Sequence, residues 1–133
     1  MATCGRIVAR TAQAVADLSG AQYHLLRHTA AGQVNVASNA GGGVDDVVGI
    51  LQNKPTSGNG ATVGYQGQSK VTVGNSAITV HTLLTTNGSG RATAAASGDW
   101  TFGQALEASS ADGEVIRCLL RLPAVQLPTS VNP

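Results

Sequence analysis

The chain has 133 residues, enough for one compact domain and too few for two ordinary ones. Asp, Glu, Lys and Arg make up only 11% of it, against roughly 25% in an average globular domain, and eight basic residues nearly balance seven acidic ones for a net charge of +1. No Lys or Arg cluster occurs, which argues against phosphate neutralisation and against DNA or RNA as a partner; so sparse a charge is expected on a surface that meets other protein.

Residues 1–17, MATCGRIVARTAQAVAD, carry a weak apolar pattern without helical spacing or a convincing cap. Of a short helix and an extended arm, the arm is the better reading, ordered mainly by contact with another protein and removable without unfolding the rest. Arg6 and Arg10 are not followed by an apolar core of signal-peptide length, and no run approaches the roughly 18 apolar residues of a membrane span. A soluble protein made in the cytoplasm, without a membrane partner, is expected.

From Leu18 onward short apolar runs alternate with Gly, Asn, Ser and Asp every eight to twelve residues or so, the spacing of an all-β sandwich or barrel. Strands are expected at 23–28, 33–37, 47–52, 61–66, 69–73, 83–86, 92–95, 101–107 and 114–122. The clearest turns are Ser57-Gly58-Asn59-Gly60, Asn87-Gly88-Ser89-Gly90 and Ala111-Asp112-Gly113. This divides the chain into an arm (1–17), a β-barrel domain (18–123) and a C-terminal tail (124–133).

The two halves resemble each other. Gly32-Gln33-Val34 leads to Val47-Val48-Gly49-Ile50-Leu51 as Gly90-Arg91-Ala92 leads to Thr101-Phe102-Gly103-Gln104-Ala105-Leu106. A polar turn follows each, Thr56 to Gly60 and Ser109 to Gly113, and then a Val-bearing strand. An internal duplication implies two strand-turn-strand units packed by their apolar faces, with Gly49 and Gly103 at equivalent bends where a side chain would obstruct close packing.

Candidate chemistry is sparse. His24 and His28 have the spacing of a helical metal pair, but the run around them reads as a strand and no Cys, Asp or Glu lies near. Asp45 and Asp46 follow Gly41-Gly42-Gly43, yet the alternating ligands of a calcium loop and the helix of a phosphate loop are both missing, so a solvated hairpin tip is expected. No nucleophile elbow selects a catalytic trio from the Ser, Thr, Asp and His residues, so no enzyme, metal or cofactor is expected. Trp100, beside the turn at Ser97-Gly98, is either an interface anchor or a cap on the barrel core. Cys4 and Cys118 match no metal or redox spacing; they are expected as reduced thiols, since a disulfide requires the arm to fold back on the last strand.

The ordered blocks Leu18-Ser19-Gly20-Ala21-Gln22-Tyr23, Val48 to Pro55, Ala77-Ile78-Thr79-Val80 before Leu83-Leu84-Thr85, Gly90-Arg91-Ala92, Gly98-Asp99 and Gly103 to Ala108 resemble the capsid decoration or cement proteins of tailed phages. The resemblance runs from about Leu18 to Pro123. It implies a β-barrel or β-tulip-like module, commonly a homotrimer, that binds the outer surface of the expanded capsid where capsomers of the major capsid protein meet. It carries over no catalytic residue, and it makes the arm, with Arg6, Ile7, Val8 and Arg10, the expected capsid contact. Where that family often has Gly-Asp this chain has Val80-His81-Thr82, which places His81 within an extended strand. Two rivals share the composition: another virion part, such as a head-fibre base or tail protein, and a host-surface module for a glycan or peptide using Tyr23, Tyr65, Trp100 or Phe102.

Overall fold

The computed structural model describes residues 7–38, 47–74, 78–96 and 98–126. Within them the chain is all-β and contains no helix. The strands are β1 (Ile7–Ala14), β2 (Leu25–Ala30), β3 (Gln33–Val36), β4 (Gly49–Leu51), β5 (Gly60–Thr72), β6 (Leu83–Thr86), β7 (Ala92–Ala94), β8 (Trp100–Ala105) and β9 (Val115–Gln126). The expected strands at 61–66 and 69–73 are one: β5 runs through Gly67, whose φ of 101° is open to glycine and costly to other residues.

The largest departure concerns the N-terminus. Ile7–Ala14 is a strand of the sheet rather than an arm, paired antiparallel with β5 from Ile7↔Gly67 to Gln13↔Gly60 and parallel with β3 at Gln13↔Gln33 and Ala14↔Val34. The physical reason is that the first half of β5 offers a row of N–H and C=O groups that must be paired, and β1 supplies partners for them. Ala14 is fully buried and Ala12 packs on the same cluster, so their small side chains fit where larger ones would crowd. His81 is the second departure. It sits in a turn at φ 76°, not in an extended strand.

Pairing closes a small barrel, β1-β3-β2-β4-β5 and back to β1. The remaining strands continue from β5 in the order β9-β8-β6-β7, and the parallel bridge Val73↔Ala92 returns β7 to the end of β5. The second half of β5 therefore stands to this second ring as β1 stands to the first.

Hydrogen bonds repeat the correspondence atom by atom. Ala14 N–H donates to Asn59 O (2.9 Å) and Gly58 N–H to Ala14 O (2.8 Å), as Val73 N–H donates to Glu114 O (2.9 Å) and Gly113 N–H to Val73 O (2.7 Å). Tyr23 N–H donates to Leu51 O (2.7 Å), as His81 N–H donates to Ala105 O (2.8 Å), and both residues take a left-handed φ, 68° and 76°. The core of the first ring, Ala14, Leu18, Leu26, Val34, Leu51, Ala61 and Val63, is matched by Val73, Ile78, Leu84, Ala92, Ala105, Ile116 and Cys118 in the second. The duplication is thus a repeat of rings that share one strand. Gly49 and Gly103 are equivalent within it: a β-carbon on Gly49 would strike Val63 and the Gly64 carbonyl, and one on Gly103 the backbone of Leu119.

Gly103→Ala is expected to cost about 1–3 kcal/mol, measured by equilibrium urea unfolding, because the obstructing atoms are backbone. Deleting residues 1–16 strips β1 from β5, and the expected outcome is loss of the cooperative transition; a truncated chain that melts like the full one would show that β1 is dispensable.

Candidate functional site

Three surface features emerge from this frame. The first lies on β1, where Arg10 is exposed. Its Nη2 donates to His28 Nε2 at 3.2 Å, and its guanidinium lies 5.8 Å from the centroid of the Tyr65 ring, within cation–π range. Because Arg can only donate, His28 accepts through Nε2 in this arrangement. Ile7 and Val8 lie on the same strand, their backbones opposite Gly67 and Gln66, while Arg6 is outside the described residues.

The second feature is Trp100, the first residue of β8. It is partly buried opposite Gln126, and its carbonyl accepts Thr85 Oγ1 at 2.8 Å.

The third was not anticipated from the sequence. Leu83, Gln104 and Leu119 form one row across β6, β8 and β9, on the face opposite the core residues Leu84 and Leu120. With Thr101, Gly103 and Arg121 they line a hollow of about 200 Å³, and Leu83 and Leu119 are 40% and 36% exposed. Its sequence signal is the doublets Leu83-Leu84 and Leu119-Leu120, since successive strand residues point to opposite faces and a Leu pair makes both faces apolar.

The groups considered for chemistry stay apart. His24 precedes β2, with Nδ1 3.4 Å from Gln22 O, and its pKa is lowered chiefly by burial. His28 is engaged with Arg10. Among the described residues no three His, Cys, Asp or Glu side chains gather as a metal site; Asp45, Asp46 and Gly41 to Gly43 lie outside those residues. The ion pairs Arg91–Asp112 (3.1 Å) and Arg117–Glu107 (3.2 Å) are solvent-exposed, a setting in which each is worth at most about 1 kcal/mol. Cys118 is buried in the second core, where burial pushes its thiol from 9.0 up to about 12; Cys4 lies outside the described residues.

The geometry thus offers a small all-β barrel with three surface features among the described residues. Comparison with known proteins makes the class specific: the phage cement protein family model matches residues 20–122, and the chain belongs to that family. Among solved structures, the chain is similar to the N base of the head fiber gp8.5 of bacteriophage phi29, with a TM-score of 0.63 and 20% identity, covering 91% of this chain and 99% of that one. A search of curated proteins found no match.

Cys118 and His24, the two groups shifted chiefly by burial, set a pH window for stability. A thiol raised on folding stays protonated where the unfolded chain ionises, so the contribution of Cys118 is complete below pH 9.0 and is lost as pH rises toward about 12. A His lowered on folding resists protonation, so the contribution of His24 is complete above pH 6.5 and declines below it. Urea midpoints measured across pH are expected to fall on both sides of that interval. In a Cys4→Ser background, Cys118 is expected to react with thiol reagents only after unfolding.

Proposed function

We propose that this protein binds the outer surface of an expanded tailed-phage capsid as a homotrimer, where subunits of the major capsid protein meet, and stabilises the expanded shell. The observation that carries the reading is the match of the cement family over residues 20–122. The sparse charge, 11% of residues, supports a surface made to meet protein. The protein is made in the host cytoplasm and resides on the virion.

The mechanism is linkage. A protein that binds only the expanded state stabilises it by about 2.7 kcal/mol per site at a hundredfold excess over its dissociation constant. A trimer that engages several subunits at once adds avidity without requiring strong individual contacts. The contact candidates are Arg6, Ile7, Val8 and Arg10. Because Ile7–Ala14 is a barrel strand, a contact made through it is held with less ordering cost than one made by a free arm. Trp100 is proposed as a second anchor.

A neighbouring reading, that the chain is the base of a head fibre, is favoured by its likeness to the phi29 head-fiber base. Co-sedimentation of the purified protein with unexpanded shells, expanded shells lacking it, and isolated tails tests both. Saturable binding to expanded shells alone is expected, with Arg10→Glu weakening it by roughly tenfold. Binding to unexpanded shells or to tails would overturn the cement reading, and occupancy confined to a few sites per shell would favour the fibre base.

A further inference from the structure

The hollow on β6, β8 and β9 has a counterpart in the first ring, and there it is filled. Leu25, Val47 and Ile50 correspond to Leu83, Thr101 and Gln104, and all three are buried in the core cluster of the second ring. Leu25 has 0% exposure where Leu83 has 40%. Part of the cover is the β6–β7 turn: Leu25 N–H donates to Gly90 O at 2.7 Å, and Gly90 sits so close to Val36 and Leu25 that a β-carbon would collide.

At the two outer ends of the molecule the same parts lack their counterparts. The equivalent turn in the first ring, between β2 and β3, is exposed; Gly32 keeps the φ of Gly90, 73° against 76°, with nothing within 4 Å of a β-carbon. Register makes Leu83↔Gln104 a pair without mutual hydrogen bonds, so the Leu83 N–H points away from β8, and among the described residues no turn or loop carbonyl takes it as the Gly90 carbonyl takes Leu25 N–H. The His81 carbonyl takes the Gln104 side-chain amide at 3.1 Å, whereas its counterpart, the Tyr23 carbonyl, takes Thr72 N–H of the other ring at 2.9 Å.

We infer that the hollow at Leu83, Gln104 and Leu119 is the docking seat for a second copy of this chain, which inserts its β2–β3 turn, residues 29–33, as the β6–β7 turn inserts at Leu25. Leu83 N–H then donates to the Gly32 carbonyl of the incoming copy. That carbonyl already accepts Gln13 N–H at 2.7 Å within its own chain and keeps a second lone pair for the new bond. The contact is head-to-tail, so successive copies close a ring or extend a filament according to the rotation at the joint. The inference deepens the self-association part of the proposed function and is independent of capsid binding.

The test is the mass of the purified protein by light scattering across concentration. The wild type is expected to form oligomers. Leu83→Asp, which blocks the seat, and Ala30→Arg, which blocks the turn, are each expected to be monomeric with unchanged circular dichroism and melting. Mixed together they are expected to give a one-to-one dimer, because one intact seat and one intact turn remain. A wild type that stays monomeric up to its solubility limit would overturn both the trimer and the seat. Oligomers that survive Leu83→Asp, or folded variants that give no mixed dimer, would overturn the seat while leaving the trimer standing. If Leu83→Asp fails to fold, Leu119→Lys replaces it under the same criteria.

Discussion

The structure depends on one long strand having to satisfy two barrels. β5 has 13 residues and spans roughly 40 Å, and only its first part pairs with β1 and β4. From Gln66 to Thr72 it pairs with β9, and Gln66 and Gly67 belong to the ladders of both β1 and β9. A break in β5 would separate the two rings. Both cores draw on this strand, Ala61 and Val63 for the first and Val71 for the second.

That dual use explains which parts of the fold were legible. Strands bounded by Gly and Asn turns were readable because their signals are local: apolar alternation, then a residue that tolerates a positive φ. β1 was hidden because Ala12 and Ala14 carry its core side, and alanine has no strand preference. What makes 7–14 a strand is a partner some fifty residues on in sequence, and no local pattern records it. The break between 66 and 69 looked real because Gln66, Gly67 and Gln68 interrupt the apolar run, although the backbone passes through. His81 was misplaced because the rule for left-handed turns expects Gly or Asn, while tertiary bonding holds a His there as it holds Tyr23 in the other ring.

The candidate site was less legible than the fold, for a different reason. Residue chemistry identifies catalytic and metal sites because few side chains do that work. A binding face made of Leu, Thr and Gln has no such signature. The Leu83-Leu84 and Leu119-Leu120 doublets were visible, but a doublet also occurs wherever both faces of a strand are covered, as Leu25-Leu26 shows. Only the comparison between the rings tells the two cases apart, since it shows what the same position looks like when covered.

The substitutions between the rings follow that difference in exposure. At the internal joint, where they are buried, the positions hold Leu25, Val47 and Ile50; at the outer end they hold Leu83, Thr101 and Gln104. Keeping one Leu retains an apolar anchor, while Thr and Gln give water something to bond when the face is open. Gln104 also spans to the His81 carbonyl, which would otherwise have lost its partner from the neighbouring ring. A fully apolar seat would bind more tightly and would also associate with unrelated surfaces, so a leucine pair, Leu83 and Leu119, ringed by polar groups trades affinity for solubility and choice of partner. In a protein with so few charges to keep it dispersed, that trade decides whether the open end remains usable.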